Sequence, residues 1–206
     1  RDSAQTTMAM DIDVTSLVSL YKQKREEYKE ANIKLSYTAI LLKAVATALS
    51  KHDRFRTVIT ENNTLLTKSD VNIGIAVDIE DGLIVPVLKN ANQKNMQTIC
   101  LELEDLAKRA RENNLTMDEL NEGTITITNL GMFGIKYFTP VLNLPESAIL
   151  GVGTLTQQPV VVDGGIHVKS IMTLSLTHDH RVIDGAPAAR FLNEIKEILQ
   201  APQGLF

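Results

Sequence analysis

Cysteine is almost missing from this chain of 206 residues; Cys100 is its single example. No intramolecular disulfide can form, which fits a reducing compartment and leaves stability to the core. No apolar run approaches the roughly 20 residues that cross a bilayer as a helix. The first residues carry no leader pattern; the chain starts at Arg1 rather than Met and reads as a fragment, so this bears little on location. A basic surplus is also lacking. Lys and Arg number 21 against 25 Asp and Glu, a net charge of −4. That argues against non-specific nucleic-acid binding through a basic surface, while a local cluster of cations still suffices for a nucleotide-like anion. There is no internal repeat, and no stretch rich in Pro, Gly or Ser marks a second domain. Strands and helices do not alternate regularly, which argues against a doubly wound parallel sheet.

What is present suits a globular domain: 44% hydrophobic and 22% charged residues, at a length that can bury a core. Residues 1–10 are polar and unpatterned and read as an extended arm or loop. Leu17, Leu20, Tyr21 and Tyr28 follow helical spacing in a charged segment that ends near Glu30. The run 36-SYTAILLKAVATALSKH-52 opens on a candidate N-cap serine and continues as a buried helix, interrupted only by Lys43. Residues 55–68 suggest a hairpin turning at Glu61-Asn62-Asn63, and 71–79 with 83–88 suggest a second one around Asp81-Gly82. Pro86 demotes the last of these runs to an edge strand or a strand end.

A helix is expected over about 96–113, with Cys100 as a small buried hydrophobe, followed by a helical turn near 116–121. Then come a strand, a glycine-punctuated loop and an extended piece over 123–142. Three strand candidates follow in 147–153 and 158–177, with a turn at 163–165. The closing helix, from about Ala186 to Gln200, is apolar at Leu192, Ile195, Ile198 and Leu199. The pattern is one α/β domain: a mixed β-sheet flanked by helices.

The stretch 175-SLTHDHRVIDGAPAARFL-192 carries the clearest chemistry. An extended run ends at two histidines, and an Asp-Gly step then launches a helix. His178 and His180 would share a face if the strand ran on, but two ligands are too few for a metal, and His52 and His167 form no ligand-like pair. A histidine at a strand end, where side chains become exposed, reads instead as a candidate catalytic group rather than a packed one. Asp184 either caps the new helix or anchors the turn that aims His180.

His180-Arg181-Val182-Ile183-Asp184-Gly185 fits the H-x-x-x-D-G signature of the chloramphenicol acetyltransferases and the dihydrolipoamide acyltransferases, the E2 components of 2-oxo acid dehydrogenase complexes. Segments 72-NIGIAV-77, 82-GLIVPVL-88, 124-TITITNLGMFG-134, 138-FTPVLNLPESAILGVG-153 and 179-DHRVIDGAPAARFL-192 resemble the E2 catalytic domain in order and spacing. The resemblance covers nearly the whole chain. It implies a chloramphenicol acetyltransferase-like fold with its active site at a trimer interface, and acyl transfer between dihydrolipoamide and coenzyme A. By the same resemblance His180 is the general base, and Thr128, where many relatives carry Ser, stabilises the oxyanion from a different subunit. Asp184 holds the turn through an arginine. Phe138, Thr139 and Pro140 contact coenzyme A, which is a substrate, and no metal is needed. An imidazole titrating near pH 6.5 suits a thiol near 8.5, and a hydroxyl donor suits a carbonyl oxygen gaining charge.

Residues 1–206 then make a single catalytic domain, with residues 1–10 as the arm. The lipoyl domain, which carries the lipoyl group, and the peripheral-subunit-binding domain, which contacts E1 and E3, are absent. Trimers would assemble into a larger cage, in the cytoplasm or in the mitochondrial matrix of a eukaryote. No nucleic acid and no membrane is expected as a partner. Two features depart from the pattern: His178 stands where Phe or Tyr is common, and the short arm lacks a histidine found in relatives. Acetyl or branched-chain acyl groups are the favoured cargo. A chloramphenicol acetyltransferase-like O-acetyltransferase and a non-catalytic cage scaffold stand as alternatives. The GLIVPV segment speaks against the first, and the presence of His180, Asp184 and Thr128 against the second.

Overall fold

The computed structural model describes residues 3–60, 62, 64–80 and 82–206. In chain order its elements are β1 (Gln5–Asp13), α1 (Thr15–Glu30), α2 (Tyr37–Leu49), β2 (Thr57–Ile59), β3 (Leu65–Thr67), β4 (Ile73–Ile75), β5 (Val77–Ile79), β6 (Gly82–Ile84) and β7 (Val87–Leu88), then α3 (Met96–Arg111), β8 (Ile125–Asn129), β9 (Ala148–Val162), β10 (Gly165–Asp179) and α4 (Gly185–Gln200). Six strands form the main sheet in the order β1-β10-β9-β8-β4-β7. Strand β8 runs parallel to both neighbours and every other pairing is antiparallel, so the sheet is mixed, as expected.

The helices begin where local chemistry allows. Ser36 Oγ accepts from the Ala39 amide at 3.1 Å, and Asn95 Oδ1 from that of Thr98 at 2.9 Å, so each satisfies an amide that the first helical turn leaves free. Helix α2 is buried along nearly its whole length, which is why its sequence shows no polar face. Helix α4 turns Phe191, Leu192, Ile195 and Leu199 into the core, while Ile198 is only half-buried. Cys100 is a core side chain whose thiol burial pushes up to about 11.

Several expectations change. The arm at residues 1–10 is a strand: from Gln5 onward it pairs with β10 along its full length as a sheet edge. Its alternation is weak because it is half-buried. Met8, Met10 and Ile12 meet the core, whereas Thr7 shares a hydroxyl hydrogen bond with Thr177 at 2.7 Å. The 55–68 hairpin forms as β2–β3, with Glu61 and Asn63 of its turn outside the described residues. The second hairpin divides: β5 pairs with β6, while β4 and β7 pair separately in the main sheet, and Asp81 lies outside the described residues. Strand β7, just after Pro86, is an edge strand as anticipated.

The three strand candidates near the end merge into two of 15 residues each, β9 and β10, turning through Asp163 and Gly164 at φ 49° and 79°. Residues 135–142 join no strand. After α4, Leu205 is buried in the core, and Phe206 meets Tyr28 edge-on, with ring centroids 6.3 Å apart.

The two faces of the main sheet differ. Ile12, Ile125, Ile127, Leu150, Leu174 and Leu176 point into an aliphatic core shared with the helices. On the opposite face lie Thr126, Thr128, Gly151, Thr173, Ser175 and Thr177, by the two-residue alternation of each strand. Part of the segment after β8 covers that face: Thr154 N donates to Ile135 O at 2.8 Å, and Leu142 N to Gln5 Oε1 at 3.2 Å.

Candidate active site

Strand β10 ends at Asp179, and His180 is the first residue of the turn that leaves it. Its side chain is exposed while its backbone is fixed: His180 N donates to Ala4 O at 2.8 Å. Asp179 organises the turn. Its carboxylate accepts from Ala4 N at 3.2 Å, Arg181 N at 3.0 Å, and Arg181 Nε and Nη2 at 3.0 and 2.6 Å. Its carbonyl accepts from Val182 N and Ile183 N at 3.0 and 2.9 Å. Burial raises the Asp179 pKa, but hydrogen bonds from Arg181 and Ala4 and the Arg181 charge outweigh it, holding the carboxyl below its ordinary range.

Asp184 stands at the N-cap of α4 without using its side chain as a cap. It pairs with Arg54 at 3.3 Å, and Arg54 also reaches Val182 O at 3.5 Å. This is the arginine that the motif leaves unnamed. Both side chains are well exposed, at 59% and 64%, so the pair contributes at most about 1 kcal/mol. His178 is fully buried, its ring centroid 6.0 Å from that of His180. Neither ring nitrogen meets a hydrogen-bond partner among the described residues. Burial first, then the neighbouring His180, pulls its pKa down, which favours the neutral imidazole. No group of three or more His, Cys, Asp and Glu side chains fit to hold a metal forms among the described residues.

Thr128 is half-buried on β8, opposite the core face that Ile127 fills. Its register partner is Gly151 on β9. The Phe138 ring packs so closely there that a Cβ on residue 151 would lie 3.0 Å from it. Phe138 therefore sits beside Thr128, whereas Thr139 is exposed and Pro140 buried. Asn129 secures the loop that follows: its Oδ1 accepts from Gly131 N at 2.9 Å, and its Nδ2 donates to Thr38 at 3.3 Å.

A single chain does not bring these two groups together. Thr128 is level with Gly151, Gly151 with Ser175, and His180 lies five residues beyond Ser175. At about 3.3 Å per residue and about 4.8 Å per strand, Thr128 and His180 are roughly 15–20 Å apart. Sequence reasoning missed Asp179, Arg54 and the buried Thr126–Glu146 pair. An acidic residue between two histidines was a legible signal for Asp179; nothing local marked Arg54.

The family model described as "2-oxoacid dehydrogenases acyltransferase (catalytic domain)" matches residues 1–206. This chain belongs to that family. It is 43% identical over 198 residues to the dihydrolipoyllysine-residue acetyltransferase component of the pyruvate dehydrogenase complex of Bacillus subtilis (strain 168), covering 96% of this chain and 45% of the relative. The corresponding component of Mycoplasma capricolum is 39% identical over 204 residues, covering 98% and 47%. The chain thus spans less than half the length of these curated relatives.

Among solved structures, an Azotobacter vinelandii dihydrolipoamide acetyltransferase superposes with a TM-score of 0.95 at 35% identity, covering 98% of this chain and 84% of that one. The cubic core of a pyruvate dehydrogenase multienzyme complex does so with 0.95 at 36%, with the same coverage. A chloramphenicol acetyltransferase shares the fold, with a TM-score of 0.62 at 18% identity, covering 96% of this chain and 89% of that one. The fold expected of this acyltransferase family member is therefore the one observed.

Proposed function

We propose that this domain exchanges acyl groups between coenzyme A and a dihydrolipoyl group carried on a separate domain, at sites assembled from two neighbouring copies. The observation that carries the reading is the separation of His180 from Thr128 in a chain of this acyltransferase family. Two halves of one site, each built with care, lie too far apart to serve one another in the same chain. A neighbouring copy closes the gap. Met132, Phe133, Tyr137 and Val141 leave an apolar surface bare beside the Thr128 half, 61–79% exposed, which suits contact with such a copy. Resemblance to a cubic core favours trimers stacked into a cage. The lipoyl and peripheral-subunit-binding domains, and through them contact with E1 and E3, belong to other parts of a longer protein.

The chemistry follows from the groups present. Few thiols are ionised near neutrality, because an ordinary thiol titrates near 8.5. His180, exposed and fixed through its backbone, takes the proton of the attacking thiol as the new bond to the thioester carbonyl forms. Thr128 of the neighbouring copy donates its hydroxyl to the carbonyl oxygen as charge builds there, worth about 3 kcal/mol by the usual effect of one such donor. His180 then returns the proton to the departing thiolate, so one thioester and one thiol are consumed and one of each is formed. Phe138 walls the pocket beside Thr128, and Asp179 holds His180 in place. Acetyl or branched-chain groups are the favoured cargo.

The test is transfer from acetyl-CoA to free dihydrolipoamide, with chloramphenicol as competing acceptor. Transfer only to chloramphenicol overturns the reading. Co-expressing His180→Ala with Thr128→Ala copies tests the shared site: each alone is nearly inactive, and the mixture recovers activity. A mixture as inactive as either parent places both groups in one chain.

A further inference from the structure

Glu146 is a buried carboxyl group that the reaction as derived does not use. It lies just before β9 and is 3% exposed. Its Oε2 accepts from Thr126 Oγ1 at 2.7 Å and its Oε1 from Asn143 Nδ2 at 3.1 Å. Gly123 leaves room for the carboxyl where it lies, since a Cβ there would stand 2.2 Å from Oε1 and would force the side chain to move. Lys68 is the charged group that bears on Glu146. Its Nζ donates to Gly123 O at 2.8 Å, it also faces Glu122 and Lys89, and among the described residues it makes no ion pair with Glu146. The pocket thus accommodates the carboxyl closely but neutralises it poorly.

It lies between the two half-sites that this chain contributes. Thr126 and Thr128 point to the same face of β8, about 7 Å apart by strand geometry. The next residue, Ser147, accepts from Asp179 N at 2.9 Å, beside the turn that carries His180. We infer that Glu146 is a positioning residue whose proton sets the upper pH limit of transfer: as the neutral acid it leaves Thr128 free to stabilise a negative oxygen, and as the carboxylate it opposes that charge from the same face of β8. Burial pushes this carboxyl up to about 7, against hydrogen bonds from Thr126 and Asn143 and the charge of Lys68, so the change falls in the working range. The inference rests on the reading of Thr128 as the oxyanion donor.

The test is kcat for acetyl transfer at saturating substrates from about pH 6 to about 9, in the assembled protein. The wild type is expected to fall roughly tenfold as Glu146 ionises, the size of effect that an incompletely screened charge within about 8 Å can have. Glu146→Gln keeps the shape of the side chain and abolishes the fall. Thr126→Val removes a hydrogen bond that favours the carboxylate and moves the fall to higher pH, a result that does not depend on Glu146→Gln folding. An unchanged fall in Glu146→Gln, no fall in the wild type, or loss at every pH alike overturns the inference. Thr128→Ala separates the two claims. If it leaves kcat intact, the donor reading fails and takes this inference with it; if it lowers kcat while the fall persists in Glu146→Gln, only Glu146 is misassigned.

Discussion

The two faces of the main sheet divide the work of this protein. Under the helices the sheet presents Leu174, Leu176, Leu150, Ile125 and Ile127, all within 1% of full burial, and the helices close over them. The other face of the same strands presents Thr126, Thr128, Ser175 and Thr177, with Glu146 set against them and an irregular segment covering part of it. Neighbouring residues on one strand thus meet unlike environments because a pleat sends them opposite ways. The aliphatic face supplies most of the stability, through apolar burial. The hydroxyl face supplies donors and a titrating group, and it carries the Thr128 half of the proposed chemistry. His178 and Asp179 show the division at its sharpest. Adjacent on β10, one is a buried imidazole with no hydrogen-bond partner among the described residues and the other a carboxylate with several hydrogen bonds.

The comparison can be broken in order of effect. His180→Ala is expected to lower acetyl transfer by about 10²–10⁴-fold, the usual contribution of a general base, while the particle still assembles by light scattering. On the helix face, Leu176→Ala is expected to lower stability by about 2–5 kcal/mol in urea unfolding, with kcat unchanged once folded; on the other face, Thr128→Ala reverses the pattern, with kcat down about 10²-fold and the midpoint little moved. If Leu176→Ala and Thr128→Ala both acted mainly on stability, the division of labour would be wrong.

Glu146 gives a subtler result, because its folded pKa is raised from 4.5 to about 7. Its proton is retained on folding between those values, so its contribution to stability is greatest below about 4.5, falls as pH rises to about 7 and is flat beyond. Glu146→Gln should therefore melt increasingly above the wild type across that window, by up to ~3 kcal/mol at pH 8, with no gain near pH 4. The smallest effect is expected from Asp184→Asn, at most about 1 kcal/mol, since its partner Arg54 is exposed. Asp179→Asn should lower kcat more than Asp184→Asn does, with KM little changed, because the buried carboxylate holds the His180 turn. The opposite ranking would return the turn to Asp184.

Much of this was legible along the chain, since local rules govern it. Ser36 announced α2, the apolar spacing of 192–199 announced α4, and the His180 motif together with the segments around it pointed to its family. The mixed sheet and its flanking helices followed from the order of the runs. What failed did so where partners are remote in sequence. Residues 5–10 look unpatterned because the strand that pairs with them, β10, lies near the other end of the chain. The strands of 147–162 read as two pieces because the outer part of β9 leaves the core and pairs only with β10.

The sequence by itself determined the helices, the strand-to-turn step at His180 and the chemistry of its side chains, because capping, periodicity and functional groups are local properties. Only the tertiary structure decided that Arg54 meets Asp184, that Asp179 also binds the backbone of the turn, and that Glu146 is buried against Thr126. It alone set the distance between His180, in the turn after β10, and Thr128 on β8. Those outcomes depend on which strands lie side by side and in what register, and a side chain carries no mark of the neighbour it will meet until the sheet has formed.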